Sequence, residues 1–324
     1  MFVYSTGSQE ESLMKAGRLA AVLFLSLAAP ALAQDALPDY SAFRDMAVSP
    51  KYPQPVQRDF IIKNFAFQSG ETLPELKMHY TTIGNRTLPA VLILHGGGGS
   101  GTNYLSQEFA DQLFGVGQPL DARRYYIILP DAIGAGRSSK PSDGLGDKFP
   151  RYNHADNVAV QYRLVTEQLG IRHLRLVLGN SMGGRQAWMW GAQYPDFMDA
   201  IVPMATSPGI WAQTTNAVPA APEASGPVNV SDDRARQQAN RNVPAPVLEN
   251  IKAYVLAINS QDDASNPPEH SGLAEAVALT PHGQFYVIPK SRATIGHQTT
   301  SLAKFWAKQV GQFLATVPKS DVTP

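Results

Sequence analysis

The sequence contains no cysteine, and this absence excludes several kinds of chemistry. A thiol nucleophile, a disulfide framework, and zinc or iron–sulfur sites with cysteine ligands all need a residue that the chain lacks. A surplus of charge is missing too, since 27 lysines and arginines balance 27 aspartates and glutamates. The composition therefore gives no electrostatic footprint for nucleic acid and predicts no nucleic-acid partner. With 44% hydrophobic and 17% charged residues, the chain can instead bury a folded core.

Long apolar segments are also lacking, and the most apolar run is confined to residues 19–29. A spanning helix needs about 20 such residues, so we predict no stable membrane span. Lys15 and Arg18 precede the run, and Ala31 and Ala33 flank a leucine after it. This order predicts a signal peptide over residues 1–33, cleaved after Ala33, with a buried N-terminal helix as the alternative. It implies a periplasmic or secreted protein whose remainder, residues 34–324, is a single domain.

Short β-rich runs alternate with helical patterns along that remainder. Residues 59–67 and 75–82 are separated by a short turn and predict an antiparallel pair. Apolar runs typical of buried strands follow at 90–94, 125–129, 174–178, 200–204, 253–258 and 284–288. Helical patterns lie at 104–114, 155–169, 182–194, 269–279 and 299–316. The alternation predicts an α/β fold with a mostly parallel central sheet, helices on both faces and an antiparallel N-terminal edge.

Residues 206–248 interrupt the alternation with a stretch rich in proline, alanine, serine and asparagine. An irregular insertion of this size in a compact domain is usually functional or disordered. Because it falls between two predicted core strands, we interpret it as a lid over the edge of the sheet and not as a second domain.

The pattern G-x-S-x-G occurs at residues 179–183, between a predicted strand and a predicted helix. A serine on a sharp strand-to-helix turn needs strained backbone dihedrals, and small neighbours allow the turn to close. Ser181 is therefore the candidate nucleophile. The five-residue pattern alone is modest evidence in a chain with 26 glycines, and the strand before it and the helix after it give it weight.

A serine nucleophile needs a base and a group that orients the base. In the strand–turn–helix arrangement, the acid and then the histidine follow the serine in the loops after later strands. His297 alone lies after the last predicted strand and before the last helix; the other histidines are interpreted as structural or solvated. Asp262 and Asp263 both follow the 253–258 strand, and Asp263 is favoured because it begins a D-x-x-x-P sequence that resembles the spacing common after this strand in a known hydrolase family.

The glycine-rich run after the 90–94 strand lies where an oxyanion hole is expected. We assign the backbone N–H groups of Gly97 and Met182 to the oxyanion, and interpret His95 as a structural loop residue. The same run also contains G-x-G-x-x-G, the dinucleotide fingerprint. Its acidic partner is expected about 20 residues on, but Asp131 lies 30 residues past Gly101, so this alternative is disfavoured.

Together these motifs resemble the α/β-hydrolase superfamily, including its loop after the fourth strand at residues 130–138. More narrowly, GNSMGGRQA at 179–187 and the stretch 149–156 are similar to the homoserine O-acetyltransferase branch, with a shortened lid. The resemblance implies Ser181 as nucleophile, Asp263 as orienting acid and His297 as base, with no metal and no bound cofactor. The larger lid of that branch supports dimerisation, which leaves a homodimer open here.

From these observations we expect a serine hydrolase that cleaves a small ester or related acyl bond through an acyl-enzyme. The partner would be a small-molecule acyl substrate. O-acyl transfer of the homoserine O-acetyltransferase type is the alternative, because the same acyl-enzyme serves both reactions. A non-catalytic binding protein on the same fold is the third reading, and the complete order of serine, acid and histidine argues against it.

Overall fold

A computed structural model describes residues 51–206 and 248–320. The predicted signal peptide and nearly all of the 206–248 insertion lie outside the described residues. Within the described ranges, no helix has the length and apolar character needed to cross a membrane.

Eight strands form one sheet in the order β1-β2-β4-β3-β5-β6-β7-β8. Strands β3 to β8 run parallel to one another, whereas β2 is antiparallel to both β1 and β4. The predicted mostly parallel sheet with an antiparallel N-terminal edge is therefore confirmed. The strands span Val56–Ala66 (β1), Thr72–Ile83 (β2), Ala90–Leu94 (β3), Tyr126–Pro130 (β4), Leu174–Asn180 (β5), Ala200–Met204 (β6), Tyr254–Ser260 (β7) and Gly283–Ile288 (β8).

Helices cover both faces of this sheet. Alternate residues of β3 face opposite ways: Leu92 belongs to a core shared with α2, α3 and α4, and Val91 to a core shared with α1 and α5. Both residues are fully buried, which explains the continuous apolar run that marked this strand. The described α-helices span Ala110–Leu113 (α1), His154–Arg163 (α2), Met182–Gln193 (α3), Leu273–Ala278 (α4) and Ala307–Thr316 (α5).

The predicted helix at 104–114 is wrong over most of its length. A 3₁₀ turn occupies Gly101–Leu105, and α1 has only four residues. The carbonyl of Glu108 accepts the amide of Ala303 at 3.0 Å instead of an amide one turn ahead. That tertiary hydrogen bond, together with Tyr104 stacked on Phe109 at 4.1 Å, holds the segment in a non-helical path.

Three other helices are shorter than predicted. The 269–279 pattern gives only α4, Leu273–Ala278. The 155–169 pattern becomes α2 followed by a π-helical turn at Leu164–Gln168. The 299–316 pattern opens with 3₁₀ turns at Gly296–Ser301 and Ala303–Phe305 before α5 begins. The first of these turns carries His297, so the base lies on a tight local turn at the start of the segment.

The amino end of β5 is tied to the end of α5 by Arg175, which is almost fully buried. Its Nη1 donates to Asp199 Oδ2 at 2.9 Å and to the Pro318 carbonyl at 2.6 Å. Its Nη2 donates to the carbonyls of Leu314 and Val317 at 2.8 and 2.9 Å. One guanidinium thus neutralises a buried carboxylate and satisfies carbonyls that the helix end leaves without intrahelical partners.

Candidate active site

The turn between β5 and α3 carries Ser181 in a strained backbone conformation, with φ 53° and ψ −111°. A side-chain carbon on Gly179 would overlap the backbone of Gly183, and one on Gly183 would overlap the carbonyl of Leu94. Both glycines are therefore required by close backbone packing. The Ser181 amide donates to the Met204 carbonyl at 2.8 Å, which anchors the turn to the neighbouring strand β6.

Ser181, His297 and Asp263 form one hydrogen-bonded chain. His297 Nε2 lies 2.9 Å from Ser181 Oγ, and His297 Nδ1 lies 2.9 Å from Asp263 Oδ2. A carboxylate at Nδ1 requires that nitrogen to carry the proton, so Nε2 is left to accept the serine proton. The structure thus brings together the three residues that the sequence placed in separate loops.

Asp263 is held as a buried, ionised acceptor. Burial raises the pKa of this carboxyl, but hydrogen bonds from His297 and from the amides of Asn266 and Ser265 outweigh it and leave the pKa below its usual value. The two amides donate to Oδ1 at 3.0 and 2.8 Å, which leaves Oδ2 for the imidazole. The side chain therefore stays negatively charged and fixed in direction beside His297.

Asp262 has a different set of partners. It accepts the hydroxyls of Ser260 at 2.5 Å and Thr294 at 2.8 Å, and the amide of Gly296 at 3.3 Å. The hydrogen bond from Ser260 is the main reason that the pKa of Asp262 is lowered. Asp262 therefore fixes the loop just before His297, whereas Asp263 is the carboxylate that bonds to the imidazole.

The glycine-rich loop after β3 is fixed by His95, which is nearly fully buried. Its Nδ1–H donates to the Gly96 carbonyl at 2.8 Å, and its Nε2 accepts the amide of Ala132 at 2.9 Å. Burial lowers the pKa of His95 and so favours the neutral ring that these bonds need. His95 acts here as a structural residue of the loop that presents Gly97.

Asp131, the carboxylate weighed for a dinucleotide site, points into the protein. Its oxygens accept the amides of Gly101 and Arg137, both at 2.7 Å. The side chain is 2% exposed, so it cannot meet the hydroxyls of a ribose. Its bonds close the turn after β4 against the glycine-rich loop, and the geometry therefore disfavours the dinucleotide alternative.

A cavity of about 720 Å³ opens above Ser181 and His297. Gly97 and Met182, the two residues assigned to the oxyanion, line it together with the catalytic candidates. A methyl group on Gly97 would meet no protein atom within 4 Å, because this face of the loop borders open space. The cavity therefore has the accessible nucleophile and the adjacent base that an acyl-transfer site needs, and it borders the two residues assigned to the oxyanion.

The cavity wall also contains side chains that sequence reasoning did not place there. His154, at the first turn of α2, was interpreted as structural or solvated, yet it lines the cavity, as does Arg185 of α3. No aspartate or glutamate is among the described lining residues. Spacing in the sequence gave no signal for His154, because its position depends on how α2 packs beside α3.

The chain is similar to known proteins in both sequence and fold. A family model for the alpha/beta hydrolase fold matches residues 89–233. A probable acyltransferase of Methanothermobacter thermautotrophicus is 34% identical over 157 residues, which is 46% of this chain and 47% of the relative. A homoserine O-acetyltransferase of Solidesulfovibrio magneticus is 38% identical over 158 residues, 43% of this chain and 40% of the relative. The matched region thus spans about half the length of these relatives or less.

Solved structures match over a larger part of the chain but at lower identity. An acetylester hydrolase from Corynebacterium glutamicum has a TM-score of 0.64 at 18% identity, covering 81% of this chain and 96% of its own. A homoserine O-acetyltransferase from Bacillus anthracis has a TM-score of 0.64 at 19% identity, covering 82% and 99%. At this identity the likeness is one of fold. The chain has an α/β-hydrolase fold, and its sequence resembles the homoserine O-acetyltransferase branch of that superfamily.

Proposed function

We propose that this protein is a serine hydrolase that cleaves a small ester or related acyl bond through an acyl-enzyme. The observation that carries the proposal is the hydrogen-bonded chain from Ser181 through His297 to Asp263 at the floor of a cavity. A serine is a poor nucleophile at its ordinary pKa, and this arrangement supplies the base that it requires. An accessible triad beside backbone donors is the constellation expected for acyl transfer.

In the proposed reaction, Ser181 Oγ attacks the ester carbonyl carbon while its proton passes to His297 Nε2. The carbonyl oxygen becomes an oxyanion facing the N–H groups of Gly97 and Met182. When the carbon–oxygen bond to the leaving alcohol breaks, the imidazolium protonates that alcohol. Water then gives a proton to His297 and attacks the acyl-enzyme, and the returned proton regenerates Ser181. Asp263 keeps the imidazole in the required tautomer and stabilises its positive charge.

Two considerations favour water as the final acceptor. The predicted signal peptide at residues 1–33 would place the enzyme in the periplasm or outside the cell, where acyl-coenzyme A is scarce. In addition, residues 206–248 provide only a short insertion, rich in proline, alanine, serine and asparagine, where the homoserine O-acetyltransferase branch has a larger lid. We therefore propose an exported hydrolase in which bulk water, and not a second bound substrate, completes the turnover.

O-acyl transfer is the second candidate, and the sequence relatives favour it. Homoserine O-acetyltransferases are 34% and 38% identical to this chain over 157 and 158 residues. An amino-acid alcohol would replace water in the second half-reaction, with the same acyl-enzyme as intermediate. The two candidates differ in what attacks that intermediate, so acceptor partitioning decides between them: a clear preference for homoserine over water would overturn hydrolysis.

Ser181→Ala tests the nucleophile directly. Turnover should fall on the order of 10⁴-fold or more, because no other group can form the acyl-enzyme. A fluorophosphonate probe should label the wild type and not this variant, as read by intact-protein mass. Ser265→Ala, in the wall of the same cavity but outside the triad, is the matched control and should still be labelled. Equal labelling of the wild type and Ser181→Ala would show that Ser181 is not the nucleophile.

A further inference from the structure

The second residue of the G-x-S-x-G pattern has a buried side chain with partners in two other segments of the site. Asn180 is 6% exposed and ends strand β5, directly before Ser181. Its Oδ1 accepts the hydroxyl of Thr300 at 2.7 Å, and its Nδ2 donates to Ser301 Oγ at 3.2 Å. Thr300 and Ser301 belong to the same 3₁₀ turn as His297, so the amide joins the nucleophile's strand to the base's turn across 120 residues.

Thr300 is fully buried and held from both sides. The Thr300 hydroxyl oxygen lies 2.7 Å from Asn180 Oδ1, while the His297 carbonyl is a more distant acceptor at 3.2 Å. Its own carbonyl accepts the indole N–H of Trp306 at 2.9 Å. The turn that presents the imidazole is therefore fixed between the core and the strand that presents Ser181.

The same amide also reaches the strand that leads into the oxyanion loop. The Asn180 side chain lies beside the hydroxyl of Tyr104, and that hydroxyl donates to the Leu94 carbonyl at 3.3 Å. Leu94 is the last residue of β3, immediately before His95 and the glycine run. All three parts of the site, nucleophile, base and oxyanion loop, thus meet around one buried side-chain amide.

We propose that Asn180 and Thr300 are a positioning pair whose hydrogen bond sets the distance between Ser181 Oγ and His297 Nε2. The inference rests on the proposed function, in which Ser181 is the nucleophile and His297 is the base. Neither side chain takes part in proton or acyl transfer; both act through His297. The effect arises because proton transfer in the attack step depends steeply on geometry, and a displacement of 1 Å can cost about 100-fold in rate.

Thr300→Val removes the hydroxyl while keeping the shape of the side chain. We expect kcat for ester cleavage and the rate constant of fluorophosphonate labelling both to fall by about 10- to 100-fold, with KM changed by less than about threefold. Thr300→Ser restores the hydroxyl and should recover most of the lost rate. This split between kcat and KM, with rescue by serine, is not expected if Thr300 only supports folding.

Thr299→Val is the matched control. Thr299 is equally buried in the same turn, but its hydroxyl accepts the Ile295 amide at 2.8 Å and makes no bond to Asn180. It should lose stability without the same loss of kcat. Asn180→Ala removes the same bond from the other side together with the bond to Ser301, and its combination with Thr300→Val should lose no more than Asn180→Ala alone, because the Asn180–Thr300 bond is already absent there.

The outcomes separate this inference from the proposed function. If the wild type is not labelled by the probe, the proposed function fails. If the wild type is labelled but Thr300→Val reacts at the same rate, or Thr299→Val loses as much, or serine gives no rescue, the positioning role is refuted. Loss of folding in both Thr300→Val and Asn180→Ala would equally overturn it, since the pair would then be purely structural.

Discussion

The two ends of strand β5 hold buried polar groups of opposite kinds. At the amino end, Arg175 and Asp199 form an ion pair whose remaining donors tie the strand to the end of α5. At the carboxyl end, Asn180 uses a neutral amide to hold the turn of His297, and Ser181 follows in a strained conformation. One strand of seven residues thus carries a structural clamp at one end and the candidate nucleophile at the other.

The difference between the two ends shows how the strained backbone conformation of Ser181 is maintained. A residue with unfavourable backbone dihedrals persists only when its surroundings over-determine it. The close glycine contacts and the hydrogen bond from the Ser181 amide to Met204 supply that constraint, while Ser181 Oγ is left open to the cavity. We therefore expect changes at the carboxyl end to reduce turnover with little loss of stability, and changes at the amino end to do the reverse.

After Ser181→Ala, the largest effect is expected for Asp263→Asn, which changes the triad that Ser181 joins at the carboxyl end of β5. An amide at this position favours the wrong imidazole tautomer, and kcat should fall on the order of 10³- to 10⁴-fold. Asp262→Asn is the matched control; it loosens the loop but leaves the bond at His297 Nδ1, so its loss should stay below about tenfold. Ester turnover and thermal melting of both variants provide the measurement. An equal loss of kcat in Asp262→Asn would contradict the assignment of Asp263 as the orienting acid.

At the amino end, Arg175→Met should lower the free energy of unfolding by about 3–5 kcal/mol, because it leaves His173 as the remaining side-chain partner of Asp199 and removes the donor to the carbonyls at the end of α5. Per-molecule turnover should be unchanged at temperatures where the variant remains folded. Arg163→Met breaks the exposed pair with Glu167 and should cost only about 0.5 kcal/mol. Urea denaturation measures both. If kcat of folded Arg175→Met fell by as much as its free energy of unfolding, with both changes expressed as free energies, the two ends of β5 would not be independent.

A smaller effect is expected from the ionisation of Asp199. Burial raises the pKa of this carboxyl, but hydrogen bonds from His173 and Arg175 outweigh burial and hold the pKa below its usual value. Its ionised form therefore stabilises the fold fully above its unfolded pKa of about 3.9, and this contribution is lost as the pH falls through the folded-state pKa. The stability difference between the wild type and Asp199→Asn should shrink below about pH 4. A difference that stays constant with pH would contradict this assignment.

The sequence was sufficient to predict the sheet, because strands buried on both faces leave continuous apolar runs. Each strand falls within a few residues of its predicted bounds. Helix prediction was weaker where tertiary bonds compete with local ones, as where the Glu108 carbonyl is taken by Ala303 and the 104–114 helix does not form. Propensity and periodicity describe the chain alone and carry no signal for such a bond.

The candidate site, too, was predicted in part from the sequence and in part depends on tertiary contacts. The order of serine, acid and histidine along the chain was enough to select Ser181 and His297 as a pair to bring together. The sequence favoured Asp263 over Asp262 only through a short spacing pattern, because the two adjacent residues share one loop and differ in where their side chains point. The contact of Asn180 with Thr300 has no counterpart in any local motif, and neither does the place of His154 in the cavity wall.

By itself, the sequence determined which chemistries were open, the alternation that gives an α/β sheet, and a serine between glycines on a strand-to-helix turn. These are local properties, set by residue type, periodicity and backbone freedom. Only the tertiary structure decided which carboxylate meets His297, which face of the glycine-rich loop borders the cavity, and which amide joins the three parts of the site. Those features depend on side-chain directions and on contacts between segments more than 100 residues apart, which are fixed only when the sheet packs.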